Sequence, residues 1–574
     1  MPSARQARTQ ARAGAAGECS NASVLAGDGH YSGARSGMTT AAPRRRPLSS
    51  YVQAPPIREV HPPGWFARLP GWLSIGAILV GLVLIATFLR TRQLTGQLWF
   101  NEAIAIGTAS HSLGELPGFV RDAGGAPLYY ALLHVWIEIF GSGVAATHAL
   151  SLVITLIAIP VACWLAWGLG GRRAGIFAAT LLAFSAYGTR YAQETQPYAL
   201  LLLLGLLTTA GFVQAYCHRR RRYLWLFALG LAAMLYTQGS AGLYAFGALV
   251  AAAVVHRGSE DRRGLARDLA IGFGGAFVLY LPWLPTTIHQ IGHATSPWHY
   301  APVLGADVPA GILGGERVDV ALLIAAVVGL TPLVAAAARR SPEALTMWAL
   351  IALPVAALVL ARVGSLASPT WVARYFGAMV APLLLLAALL SARARLVGVV
   401  SIALCIAFVA NPSSYVPAHK SDMRDVAAEL GTRLHPGDLV VSGQPEQTPL
   451  AFYYLPGGLR YASTLGAESD PSTMNWSDAQ SRLQGAEPAA ILQPLVASLR
   501  PGQQLLFMRP LDEGARNWKE PWTKLVRRRS AQWGQILTED VAAGRLDAVA
   551  VAPHNYRSAC CVADSAVLYR KTSS

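Results

Sequence analysis

Carboxylate, guanidinium and aromatic side chains stand together at several places in this sequence, each beside a long apolar segment. In chain order these residues are Asn101, Glu102, Asp122, Arg190, Glu194, Tyr198, Arg374 and Tyr375. Transfer of a sugar to a hydroxyl needs a carboxylate that takes the acceptor proton. It also needs cations that stabilise a departing phosphate, for which arginine offers two parallel donors. Because aromatic rings suit both a sugar face and a prenyl chain, the set indicates glycosyl transfer from a lipid phosphate.

Each of these groups also has a structural interpretation. Glu102 could be a solvated loop acid, although a charge at the end of an apolar segment is more often functional. Arg190 and Glu194 could form an ion pair one helical turn apart, and Arg374 could anchor the end of a span by snorkelling. The histidines of residues 286–317 fit no zinc-ligand spacing, so we interpret them as loop polarity.

The composition indicates that lipid is the main solvent of this chain. Of its 574 residues, 53% are hydrophobic and 14% are charged, whereas soluble domains carry about 25% charged residues. The net charge of +16 would suit a nucleic-acid partner, but the arginines lie between apolar runs of membrane length. The sequence therefore predicts a polytopic membrane protein whose positive charge sets its topology and which binds no nucleic acid.

Eleven segments have the length and apolarity of a membrane-spanning helix, for which about 20 residues are needed. They are 72–89, 148–169, 174–189, 199–216, 223–238, 240–255, 269–285, 318–338, 345–361, 375–390 and 396–411. Alternate gaps between them are basic, namely Arg172–Arg173, His218–Arg222, His256–Asp268, Arg339–Arg340 and Arg393–Arg395. Because short basic loops stay in the cytoplasm, the N-terminus is predicted inside and the C-terminus outside, in the plasma (inner) membrane.

This inside–outside order of the segments requires that the apolar run Pro127–Phe140 does not cross the membrane. It has 14 residues and includes His134 and Glu138, so we predict a helix that lies along the membrane surface. The first external loop, about 90–147, then contains this interfacial helix, and a second external loop covers 286–317. All the candidate site residues fall on the external side.

Three regions follow from this topology. Residues 1–70 are rich in Arg, Ala, Gly, Ser and Pro and are predicted to be a disordered cytoplasmic leader. Residues 71–411 form the transmembrane catalytic region. Residues 412–574 alternate helical and strand patterns, with strands at 439–443 and 504–510 and a helix at 421–434, which predicts a small extracytoplasmic α/β domain.

Five strings of this sequence resemble the GT-C type, PMT/ArnT-like bacterial glycosyltransferases, often labelled mannosyltransferase-like. They are LWFNEA at 98–103, APLYYALLHVWIEIFGSG at 126–143, YAQETQPYALLLLL at 191–204, RYFGAMVAPLLLLA at 374–387, and DMRDVAAEL with HPGDLVVSG within 422–443. The resemblance covers about residues 72–455. It implies a GT-C fold with about eleven spans, a large first external loop with surface helices, a polyprenyl-phosphate sugar donor, an inverting reaction and a soluble C-terminal domain.

The acidic pair of this family, usually Asp-Glu, falls on Asn101 and Glu102, and this is a departure. An amide cannot take a proton, so the resemblance leaves three alternatives: Glu102 is the base, Asp122 is the base, or this branch has lost or altered its activity. The Tyr-x-x-Glu segment of the family falls on Tyr191–Glu194, with Gln196 where an Arg is often found. The donor-phosphate arginine falls on Arg374. Some members bind a metal near the site; nothing in this sequence requires one, and a divalent cation stays open.

Two other functions were weighed against the glycosyltransferase. A transporter or flippase of lipid-linked glycans would use interrupted helices and paired repeats, and no repeat is visible in the sequence. A non-catalytic relative that binds a lipid-linked sugar is favoured only by Asn101. The sequence leaves open the sugar, whether mannose or another hexose or pentose, and the acceptor, which could be a glycan, a lipid or a protein.

Overall fold

The computed structural model describes residues 71–293, 314–334, 342–367, 373–409, 420–510, 521–552 and 564–573. The predicted leader 1–70, the basic pair Arg339–Arg340 and His299 lie outside the described residues. The chain from Arg68 to Ser574 forms one compact unit, so contacts between its helical part and its C-terminal part bear directly on the site.

The described residues between 71 and 409 are almost entirely helical. In chain order the helices are α1 Gly71–Arg90, α2 Phe100–Ala109, α3 Leu116–Asp122, α4 Pro127–Phe140, α5 Val144–Ala183, α6 Ala186–Tyr191, α7 Tyr198–Phe212, α8 Leu224–Leu235, α9 Ala241–Gly258, α10 Arg262–Tyr280, α11 Leu284–His293, α12 Glu316–Val334, α13 Pro342–Ala367, α14 Gly377–Arg393 and α15 Arg395–Val409. Within the described residues, each of the eleven predicted segments overlaps these helices, although 174–189 continues from α5 into α6 and 269–285 continues from α10 into α11.

Six helical stretches in the described part are long and apolar enough to cross a membrane. They are Val144–Ala183, Tyr198–Cys217, Ala241–Gly258, Arg262–His293, Glu343–Ser365 and Arg374–Arg393. Large apolar side chains such as Leu84, Leu323 and Val359 are more than half exposed on the helices, as expected where lipid is the solvent. The predicted helix at Pro127–Phe140 is present with these bounds. Part of the predicted second loop is helical, because α11 continues to His293.

Helix α5 carries two predicted spans in one run of 40 residues. Its helical geometry is interrupted at Gly171, which has φ 79° and ψ −177°, a conformation that glycine adopts without a Cβ penalty. The interruption immediately precedes the basic pair Arg172–Arg173. Beyond the interruption Gly175 packs against Cys163 and Trp167, so the run folds back on itself. The predicted gap between the second and third spans is therefore a tight turn.

The C-terminal part is built around a six-stranded sheet. Its elements are α16 Met423–Leu430, β1 Leu439–Ser442, α17 Thr448–Tyr454, β2 Arg460–Ser463, β3 Gly466–Ala467, α18 Ala479–Gly485, α19 Pro488–Ala497, β4 Gln504–Pro510, α20 Pro521–Ala542, β5 Leu546–Ala552 and β6 Asp564–Lys571. The strand order is β3-β2-β1-β4-β6-β5, with β1 parallel to both β2 and β4. The small α/β domain predicted from the sequence is thus present, with both predicted strands in it.

Helix α2, between α1 and α5, packs against the C-terminal domain. Leu98, Ala103 and Ile106 share one buried apolar cluster with α16 and α17. Phe100 and Ile104, on another face of α2, share a second cluster with the α20 residue Trp522. Side chains three or four residues apart lie on one face of a helix. Ala103 with Ile106 and Phe100 with Ile104 therefore mark two faces of α2, and both pack against the domain. The N-terminus of α2 is thereby fixed between the membrane-type helices and the sheet.

Candidate active site

The carboxylate of Glu102 is fully buried at the N-terminus of α2. It occupies the third helical position and accepts a hydrogen bond from the backbone N–H of Trp99 at 3.1 Å, which satisfies one of the donors that a helix start leaves unpaired. The backbone N–H of Thr195 donates to Glu102 Oε1 at 2.9 Å. These contacts join α2 to the segment between α6 and α7.

Two basic side chains complete the surroundings of Glu102. His148 Nε2 lies 2.7 Å from its Oε1, and Lys420 Nζ donates to both carboxylate oxygens at 3.0 Å. Burial by itself would raise the pKa of Glu102, but the charges of Lys420 and His148, together with the hydrogen bonds from His148 and Thr195, hold the pKa well below its ordinary value. Glu102 is therefore an enclosed carboxylate whose oxygens are both occupied.

Arg374 lies against the aromatic pair at the start of the first loop. It belongs to a short 3-10 helix, Ala373–Phe376, that precedes α14. Its guanidinium carbon is 5.7 Å from the centre of the Trp99 ring and 5.4 Å from that of Tyr375, distances typical of cation–π contacts. The hydroxyl of Tyr187 donates to its backbone carbonyl at 3.3 Å. The Arg374 cation thus lies against Trp99, which precedes Asn101 by two positions in the chain.

A second cation and an acid lie on the segment that follows Tyr187, the residue that contacts Arg374. Arg190 Nε donates to Glu194 Oε1 at 3.4 Å, and their side chains are 40% and 4% exposed. Tyr191 is a ring neighbour of Tyr198 at 4.7 Å and of Tyr187 at 4.4 Å, and Tyr187 contacts Arg374. The structure therefore brings the predicted residues of the third and tenth segments into one cationic, aromatic cluster.

Residues 193–196 connect this cluster to the buried Glu102. The backbone carbonyl of Gln193 accepts a hydrogen bond from Lys420 Nζ at 2.7 Å. Three residues on, Gln196 Nε2 donates to the backbone carbonyl of Asn101 at 2.8 Å. The side chain of Asn101 is partly exposed. Of the two neighbouring residues at the family's acidic pair, the amide therefore reaches the surface and the acid does not.

Asp122 lies in a different environment. Its carboxylate pairs with the adjacent Arg121 at 3.0 Å and is one-third exposed. Its backbone carbonyl accepts a hydrogen bond from the backbone N–H of Trp476 in the C-terminal domain at 2.8 Å. Within the described residues, no contact joins Asp122 to Arg374 or Glu194.

Sequence reasoning missed Lys420, His148 and Trp99. Lys420 lies two residues before one of the strings that carry the family resemblance, but nothing local indicates that its ammonium reaches Glu102, 318 residues earlier. His148 begins a predicted span and looked like a boundary residue. No group of three or more His, Cys, Asp or Glu side chains that could hold a metal occurs in the described part of the chain.

One segment of the chain matches a known protein family. Residues 124–285 match the family described as dolichyl-phosphate-mannose-protein mannosyltransferase. This segment contains His148, Arg190, Glu194 and Tyr198, while Glu102 and Arg374 lie outside it. None of the curated proteins matches this sequence.

Solved structures share the fold over most of the chain. ArnT from Cupriavidus metallidurans in the apo state aligns with a TM-score of 0.55 at 14% identity, over 87% of this chain and 98% of its own. The same protein bound to undecaprenyl phosphate gives 0.54 at 15% identity, over 88% and 98%. The Archaeoglobus fulgidus oligosaccharyltransferase in the apo form gives 0.53 at 11% identity, over 79% and 72%. The resemblance predicted from the sequence is confirmed: residues 124–285 match the mannosyltransferase family, and the chain shares the fold of ArnT and of the oligosaccharyltransferase.

Proposed function

We propose that the chain is a glycosyltransferase that moves a sugar from a polyprenyl phosphate to an acceptor hydroxyl at the extracytoplasmic face of the plasma membrane. The observation that carries this proposal is the convergence of Arg374, Arg190 and Glu194 with aromatic rings from separate helices. The relative whose structure holds undecaprenyl phosphate supports a lipid phosphate as the donor. The five basic gaps support an external position for the cluster.

In this proposal Arg374 and Arg190 hold the phosphate of the donor. A guanidinium can make two parallel hydrogen bonds to a phosphate, and both groups stand at the ends of helices where a lipid headgroup would lie. As the sugar leaves, negative charge builds up on the phosphate oxygen, and preorganised cations stabilise that charge. Tyr375, Tyr198 and Trp99 offer aromatic faces to the sugar and to the first prenyl units.

We further propose that Glu194 takes the acceptor proton. Glu102 and Asp122 were the sequence-based candidates, but Glu102 is enclosed with both oxygens bonded, and Asp122 lies apart from the cations. Glu194 contacts the partly exposed Arg190 through Oε1, which leaves its carboxylate next to a cation of the proposed donor site. A general base must come within hydrogen-bond reach of the proton that it removes, and of the three acids Glu194 best meets this need. Glu102 then acts as a positioning residue.

The test is transfer from a radiolabelled polyprenyl-phosphate mannose, and from the corresponding pentose donor, to membrane glycolipid extracts by the purified protein in nanodiscs. Wild type should transfer label, and Arg374→Gln should abolish donor binding as well as transfer. Label that crosses a vesicle bilayer without changing its chemical linkage would instead identify a flippase.

Asn101 favours one second candidate, a relative that binds a lipid-linked sugar without turnover. In that case the wild-type protein would bind the donor through Arg374 and transfer nothing, and Asn101→Asp would restore transfer. Transfer by the wild type rules out this candidate.

A further inference from the structure

A buried polar cluster lies in the C-terminal domain at the carboxyl ends of strands β1 and β2. Gln444, Glu446 and Thr448 follow β1, Thr464 follows β2, and all four are at least 97% buried. One oxygen of each side chain has no hydrogen-bond partner among the described residues, namely Gln444 Oε1, Glu446 Oε2, Thr448 Oγ1 and Thr464 Oγ1. Buried polar groups in native proteins are normally paired, so four unpaired oxygens at one sheet edge need an explanation.

The topology of the sheet makes this edge a place where ligands bind. From β1 the chain passes to β2 on one side, and β4 later pairs on the other side of β1, with all three strands parallel. In open α/β sheets, ligands bind outside the carboxyl ends of the strands at such a switch point. The four residues lie at this edge.

Hydrogen bonds to the other polar atoms of Gln444 and Glu446 hold this part of the cluster in shape. Glu446 Oε1 accepts hydrogen bonds from Gln444 Nε2 at 2.8 Å and from Trp522 Nε1 at 2.9 Å. Ser442 Oγ donates to the backbone carbonyl of Gln444. The side chains of Gln444 and Glu446 are therefore oriented already, and their unpaired oxygens are fixed rather than free to rotate toward other partners in the protein.

One aromatic layer separates this cluster from the proposed donor site. Trp522, which donates to Glu446, packs in the same apolar cluster as Phe100, Ile104 and Trp99. Arg374 lies over the ring of that Trp99. The Nε1 of Trp99 is also buried without a hydrogen-bond partner in the described part of the chain. Unpaired polar atoms thus occur on both sides of the contact between α2 and the domain.

We propose that Gln444, Glu446, Thr448 and Thr464 form a subsite for a hydroxyl-rich head group, the carbohydrate end of the acceptor. A carboxylate and an amide oxygen can only accept, and two hydroxyls can accept or donate, so the complementary ligand carries several donors close together, as vicinal sugar hydroxyls do. This inference rests on the proposed function for the identity of the ligand as acceptor.

The proposal makes opposite predictions for stability and for binding. Thr448→Val and Thr464→Val each remove an unpaired buried oxygen, so the melting temperature of the purified protein in nanodiscs should stay the same or rise. The matched control is Ser442→Ala, which removes a bonded buried hydroxyl and should lower it. A clear fall for the two valine variants, with sugar binding intact, would show that the hydroxyls bond structural water and would overturn the proposal.

Binding is measured by saturation-transfer NMR with the methyl glycosides of glucose, mannose, galactose and N-acetylglucosamine. At least one should bind wild type, and Glu446→Gln with Thr448→Val should weaken it by about tenfold or more, the size of one lost hydrogen bond to a charged group. Binding of none of these glycosides, or equal binding by the variant, would overturn the subsite.

Transfer assays separate this proposal from the preceding one. If Glu446→Gln raises the KM for the acceptor and leaves the KM for the donor unchanged, both proposals stand. Normal transfer with an unchanged acceptor KM removes the subsite and leaves the transferase. Glycoside binding that Glu446→Gln abolishes, in a protein that transfers no sugar, keeps the binding site and removes the transferase.

Discussion

The acids Glu102 and Glu194, which residues 193–196 bring into one region, are held by different partners. Glu102 is enclosed, with Lys420 and His148 on its oxygens and two backbone N–H groups donating to it. Glu194 is paired on one oxygen with a partly exposed arginine. A carboxylate held by four donors stabilises structure, whereas one paired with a partly exposed arginine at the proposed donor site can exchange a proton with a substrate. The comparison teaches that the acid most visible in the sequence is the one that the fold encloses.

The largest effect is expected from Glu194→Gln. The amide keeps the shape and can still contact Arg190, but it cannot take a proton, so the transfer rate should fall by about 10²- to 10⁴-fold. Donor binding should change little. The control is Glu539→Gln on α20, far along the chain from the cluster. Near-normal transfer by Glu194→Gln would return the role of base to Glu102 or Asp122.

Lys420→Met tests whether Glu102 holds the C-terminal domain in place. Removal of one partner of a buried ion pair leaves an uncompensated charge and costs about 3–5 kcal/mol of stability. We therefore expect a large loss in thermal stability, measured in nanodiscs. The variant Lys420→Arg should keep most of the wild-type stability.

The double variant Glu102→Gln with Lys420→Met sharpens this prediction. Because each side chain depends on the other, the second substitution should cost far less than the first, and the two free energies should not add. Additive effects would mean that the two groups do not interact. If Glu102→Gln alone leaves stability intact and abolishes transfer, the sequence-based assignment of Glu102 as the base is correct.

Most of the fold could be predicted from the sequence, and the grouping of the site could not. Apolar length and basic gaps mark segments that lie on helices throughout, because these signals are local and reflect the solvent around each helix. The enclosure of Glu102 depends on Lys420 and His148, which reach it from remote parts of the chain. Contacts of this kind arise from packing and leave no pattern in the surrounding residues.

Arg374→Lys should give a moderate effect on the donor. Lysine keeps the charge but loses the planar fork and its stacking on Trp99 and Tyr375, worth about 1–2 kcal/mol when such a contact is desolvated. The KM for the polyprenyl-phosphate sugar should rise about tenfold, with a smaller change in the KM for the acceptor. Arg393→Lys, which alters an exposed pair with Glu343, serves as the control. A rise confined to the acceptor KM would contradict the role of Arg374.

The smallest effect is expected from Asp122→Asn, although Asp122 was one of two catalytic candidates in the sequence. Its carboxylate contacts only the neighbouring Arg121 among the described residues and is one-third exposed, and exposed ion pairs contribute about 0–1 kcal/mol. Its contact with the C-terminal domain runs through the backbone carbonyl, which the substitution leaves in place. The transfer rate and melting temperature should therefore stay close to wild type, measured beside Glu194→Gln. A loss as large as that of Glu194→Gln would show that Asp122 reaches the substrate and would place the base on the opposite side of α2.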